Sequence, residues 1–256
     1  TPLVEKYRVL LTAVRQLITE HFPQVRGRPS LQIFLPPTLL EYADTTHSSL
    51  RDIDRKYATT DIRTGQMWYA PRHQKDVTDF SGELNGEKQD EVDAVKTMVH
   101  ETLHMVADKP YFSMGEQIIN ELLTEVLALT FTAHYFSSST DADTFSRTLY
   151  DTRFYRDRFP WFAFLLIGLW GEPLEILRRV QQLYQTGSPA IQIGQLAQAV
   201  SIAYSLRPED GLDFLVTEEA RYDDRLKDVL KRVKSDADKV KPSGVDPLMF
   251  LIQRST

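Results

Sequence analysis

Apolar residues at Leu3, Tyr7, Leu10, Leu11, Val14, Leu17 and Ile18 recur at the spacing of one helix face, which predicts an amphipathic helix over residues 3–22. The pattern then shortens. Leu31-Gln32-Ile33-Phe34-Leu35 is an apolar run halted by Pro36-Pro37, as a strand would be. Residues 57–71 hold two β-prone pieces around Thr64-Gly65, the second being Gln66-Met67-Trp68-Tyr69-Ala70, and read as a hairpin. Residues 75–90 are polar, carry Gly82 and Gly86, and read as a surface loop. From about Asp90 helical spacing takes over, with helices expected near 91–107, 115–137, 141–157, 160–169, 172–185, 189–205 and 218–240. No internal repeat stands out. The expected fold class is α+β: a small mixed front half with a short antiparallel sheet, then a predominantly helical back half. The division expected is an N-terminal α+β subdomain over 1–108 and a helical C-terminal subdomain over 109–256, with a site where they meet.

Composition narrows the function classes. The chain has 256 residues, enough for one large domain or two subdomains, and an ordinary globular balance of 42% apolar and 26% charged residues. A net charge of −6 without a clustered basic face argues against nucleic acid as a partner. The dense charged stretch from Glu218 to Lys241 mixes both signs and reads as a solvated helix face. The longest strongly apolar run, Trp161 to Trp170, is too short to span a bilayer, so a buried helix in a soluble, non-membrane protein is expected. There is no cysteine, which excludes disulfides, thiolate ligands and cysteine nucleophiles together. The start at Thr1-Pro2-Leu3, without Met or a signal-type segment, reads as a mature form; cytoplasmic and exported settings are both compatible with it. There is no phosphate-cradling glycine loop, no Gly-x-Ser-x-Gly elbow and no EF-hand loop.

The chemistry concentrates in His100-Glu101-Thr102-Leu103-His104. On the helix near 91–107, Val92, Val95, Val99, Leu103 and Val106 form the core stripe, and His100 and His104 project side by side from its flank. Two imidazoles at that spacing can grip one Zn²⁺ at about 2.0–2.1 Å each. Glu101 points to the neighbouring sector, where it reaches a metal-bound water rather than the metal. A chance His-Glu-x-x-His is expected in about one in a hundred chains of this composition; the competing reading is two surface histidines on a polar flank. A catalytic zinc takes a third protein ligand as well. The extended metzincin pattern fails at Ala107 and Pro110, and a di-iron site lacks a second Glu-x-x-His. On the next helix, Asn120-Glu121-Leu122-Leu123-Thr124-Glu125 places two carboxylates four residues apart on one face. A solvated helix face is the bland alternative there.

These two segments together resemble the gluzincin metallopeptidases, in which a first helix carries His-Glu-x-x-His and a second carries Glu-x-x-x-Asp or a close variant. The resemblance covers residues 91–130. It implies a zincin-like active-site helix, zinc as cofactor, a protein or peptide substrate, His100, His104 and Glu121 as zinc ligands, and Glu101 as general base. Glu125 stands where the family often has Asp, which orients the first histidine through its other ring N–H. The link from His104 to Glu121 is short for the family, which keeps Glu125 and Glu116 open as the third ligand. Gluzincins also pair extended substrate with an edge strand ahead of the active helix, and residues 66–70 are the candidate, with an ordinary core strand as the alternative. The aminopeptidase signature Gly-x-Met-Glu-Asn is absent, which favours an endopeptidase. For a donor facing the metal, Tyr111 is the first candidate, with Tyr150, Tyr155, His134 and Arg153 as others. Rival readings are a toxin, effector or regulatory protease with a single protein target, and a zinc-binding protein without turnover.

Overall fold

The computed structural model describes residues 2–46, 58–71, 74, 89–107, 113–136 and 153–253. It divides into two compact units, Thr1–Val106 with Phe131–Arg153, and Ala107–Thr130 with Phe154–Thr256.

The first unit opens on helix α1 (Pro2–His21), which buries Leu10, Leu11, Val14 and Ile18 as the apolar spacing requires. A 3₁₀ turn (Pro23–Gly27) follows, and the Arg15 guanidinium fastens it to α1 by donating to the carbonyls of Val25, Arg28 and Pro29. Strand β1 (Gln32–Phe34) leads to α2 (Leu39–Thr46), which the apolar pattern does not announce. A local signal for it exists all the same: the Thr38 hydroxyl accepts from the Glu41 N–H in the manner of a helix N-cap. Strands β2 (Ala58–Asp61) and β3 (Gln66–Tyr69) form the expected hairpin, with Gly65 at φ 72° in the turn. Ala58 pairs with Tyr69 and Asp61 with Gln66.

One expectation needs correction, and one open alternative is decided in favour of the core strand. β1 lies parallel to β3, Gln32 opposite Gln66 and Phe34 opposite Trp68, so the sheet is mixed rather than antiparallel. The strand order β1-β3-β2 also makes residues 66–69 the central strand. Both hydrogen-bonding sides of β3 are taken by neighbours, and it cannot add an extended substrate. Helix α3 (Gln89–His104) packs on α1 and β2. The loop expected at 75–90 lies almost wholly outside the described residues.

The second unit is helical throughout its described residues. It contains most of α4 (Met114–Tyr135), then α5 (Arg153–Trp170), α6 (Pro173–Gln185), α7 (Pro189–Tyr204), α8 (Pro208–Val216), a 3₁₀ turn (Glu219–Arg221), α9 (Asp224–Val240) and α10 (Pro247–Gln253). The helix expected near 141–157 falls mostly outside the described residues, and α5 runs without a break through Pro160. A proline inside a helix costs about 3 kcal/mol. Phe162, Leu165, Leu166 and Ile167 are fully buried on the same helix, and each returns about 1.5–3 kcal/mol. Packing wins. The helix stops at Gly171, which takes φ 75° and donates its N–H to the Ile167 carbonyl. In α9 the charged residues face outward while Leu226, Val229, Leu230, Val233 and Ala237 are buried, and Asp223 caps it by accepting from the Leu226 N–H. Among the described residues no single helix is long and apolar enough to cross a membrane.

Candidate metal centre

α3 is buried almost all round rather than along one stripe. Val92, Val95, Val99 and Leu103 are wholly inaccessible, and His100, Glu101 and His104 are each only 8% exposed. The reading of two surface histidines is therefore set aside. One turn of helix separates the two rings, and they meet edge to face with centroids 4.8 Å apart. Their Nε2 atoms approach to 3.1 Å. Two nitrogen lone pairs at that distance repel unless a proton or a cation lies between them. Ligand atoms about 2.0–2.1 Å from a tetrahedral ion stand about 3.3–3.4 Å apart, so the spacing suits a shared metal with little adjustment.

A carboxylate completes the group. One ligand atom from each of His100, His104 and Glu121 lies within 4.8 Å of the other two, and these residues could hold a metal ion. Glu121 sits on α4, half-buried. Glu125, one turn further along, is 1% exposed, which removes the solvated-face reading for that position. Neither Glu125 nor Glu116 joins the three-residue group among the described residues. Burying a carboxylate is costly unless cationic or hydrogen-bonding partners surround it. On α4 that cost bears on Glu125, whereas Glu121 keeps part of its surface exposed.

Glu101 shares the first unit with Tyr42, which belongs to no motif and lies on α2. The Tyr42 hydroxyl is bonded to Thr59 Oγ1 on β2 at 2.8 Å. Burial pushes its phenol up to about 12; the Thr59 bond works against this and the Glu101 charge adds to it. Tyr42 is thus neutral at physiological pH. Its only sequence signal was the Thr38 cap. Of the other candidate donors, Tyr111 and Tyr150 lie outside the described residues, and His134 is exposed near the end of α4.

In the second unit α4 is tied to its neighbours by buried polar contacts that no motif predicted. Asn120 Nδ2 donates to Gln192 Oε1 on α7 at 2.7 Å, and Thr124 Oγ1 meets the Tyr184 hydroxyl on α6 at 2.7 Å. Compared with known proteins, the chain matches no family model, no curated protein and no solved structure.

Proposed function

We propose that this chain is a zinc-dependent peptide hydrolase, acting as an endopeptidase in the gluzincin manner. The observation that carries the reading is the 3.1 Å approach of His100 Nε2 to His104 Nε2, with a Glu121 carboxylate oxygen inside the same 4.8 Å group. Two neutral imidazoles and one carboxylate form a hydrolytic zinc donor set that leaves a fourth position open. Bound there, zinc supplies a water of near-neutral pKa and polarises a carbonyl.

The chain's own residues account for the remaining steps. Glu101, adjacent to His100 in sequence, takes the proton from the attacking water and returns it to the leaving amine. Its 8% exposure limits competition from bulk water. A protonated Tyr42 adds no second negative charge beside it. Glu125 is assigned the role of accepting from an imidazole N–H and so orienting the ring.

Glu101→Gln tests the proposal. The variant is expected to retain zinc while hydrolysis of a peptide library falls by about 10²–10⁴-fold. A zinc-loaded variant with full activity would sink the mechanism. With wild type, activity should vanish under a chelator and return with zinc. Zinc without cleavage of any library peptide would favour a single-target protease or a binding protein, and absence of zinc would remove the reading altogether.

A further inference from the structure

Along α4 a neutral polar residue comes immediately before each acid: Asn120 before Glu121, and Thr124 before Glu125. One residue is about 100° of turn, so the neutral pair and the acidic pair occupy adjacent sectors of the same helix. The neutral sector is buried, with Asn120, Thr124 and Tyr184 wholly inaccessible and Gln192 1% exposed. Its bonds go to two different helices of the second unit. Asn120 reaches Gln192 on α7, and Thr124 reaches Tyr184 on α6. The single Thr124 hydroxyl proton is spent on the Asn120 carbonyl at 2.7 Å, so the Tyr184 hydroxyl is the donor to Thr124. The contacts therefore have a fixed direction.

Stability alone does not explain them. Gln192 Nε2 is buried with no hydrogen-bond partner among the described residues. An unmet buried donor is destabilising, and two apolar residues at 120 and 192 would pack the same helices without it. What a polar pair adds is angular definition. Hydrogen bonds weaken steeply as they bend, whereas apolar contacts tolerate a roll of the helix.

We propose that Asn120–Gln192 and Thr124–Tyr184 are positioning contacts that set the roll of α4, and so present Glu121 to the metal in one orientation. The proposal rests on the reading of Glu121 as a metal ligand. The two anchors lie one turn apart on α4 and on separate partner helices, so together they resist both rotation and sliding.

The test uses the full chain and two paired variants, Asn120→Leu with Gln192→Leu, and Thr124→Val with Tyr184→Phe. Each pair removes one of the two bonds from both sides at once. Three quantities are read: unfolding of the metal-free protein, zinc affinity by chelator competition, and the visible spectrum of the cobalt(II)-loaded protein. The expected result is cooperative unfolding close to wild type, zinc affinity weaker by about tenfold or more, and an altered cobalt spectrum. These metal effects should disappear when Glu121→Gln is already present. Unchanged affinity and spectrum in both pairs would overturn the proposal, as would an equal loss in the Glu121→Gln background. Should a pair lose its fold, Tyr184→Phe alone, which deletes one oxygen, is read in the same way. If Glu121→Gln alone binds zinc like wild type, the ligand assignment has failed, and that outcome is visible before any anchor is altered.

Discussion

Glu121 and Glu125 are the same residue type one helical turn apart, and the sequence treats them nearly alike. The structure separates them: Glu121 belongs to the His100/His104 group that could hold a metal ion, while Glu125 is almost fully buried and is not in that group among the described residues. Their removal should differ accordingly. Glu125→Gln is expected to weaken zinc binding by roughly 10–100-fold, as loss of an outer orienting contact does, and Glu121→Gln by more. Chelator competition on the two variants checks the order, and the reverse order would assign the ligand to Glu125. The histidine pair needed no such arbitration. A four-residue spacing on any α-helix brings two side chains together, so His100 and His104 were legible from sequence alone. Tyr42 was not, because nothing local ties residue 42 to residue 101. Only the packing of α3 on β2, with Thr59 holding the phenol, brings the two into electrostatic range.

At the scale of elements, regular periodicity was read well and its interruptions poorly. α1, α3, α4, α6 and α7 lie within about three residues of their expected ranges, while α9 starts at Asp224, six residues later than expected, after the 3₁₀ turn. The short helices α2, α8 and α10 were missed, since seven to nine residues are too few for a clear apolar period. α8 is held at its start by an ion network. Asp210, nearly buried, accepts from Arg207 at 2.9–3.0 Å and also pairs with Arg225. The Arg207 bond is the largest cause holding its carboxyl below the usual range, assisted by Arg225 and opposed by desolvation. A carboxyl whose folded pKa is depressed stabilises the fold above its unfolded pKa and loses that contribution as pH falls through the folded one. Asp210→Asn should therefore lower the melting temperature at pH 7. The gap to wild type should begin to close as pH drops below about 4. Thermal melts of both proteins from pH 7 to pH 3 test this, and a gap that stays constant would contradict the assignment.

For the whole molecule, a ligand that binds only the native chain raises stability by mass action. Zinc at 100 times its dissociation constant contributes about 2.7 kcal/mol. At about 2–4 °C per kcal/mol for a chain of this size, the melting temperature should rise by roughly 5–10 °C. Calorimetry with zinc, with chelator, and with His100→Ala checks it; an equal rise in the variant would place the binding elsewhere.

The sequence by itself determined what depends on neighbours along the chain. The helical character of the back half, the turn at Gly65 and the juxtaposition of His100 with His104 follow from backbone geometry over one or two turns. Tertiary structure decided everything that requires distant segments to meet. It made β3 a central strand instead of an open edge, because β1 adds parallel to it from far upstream in the sequence. It carried α5 through Pro160, because burial outweighs one lost hydrogen bond. It buried Glu125 while leaving Glu121 half-buried one turn away on α4, because the surroundings of that helix come from distant segments that no local pattern encodes.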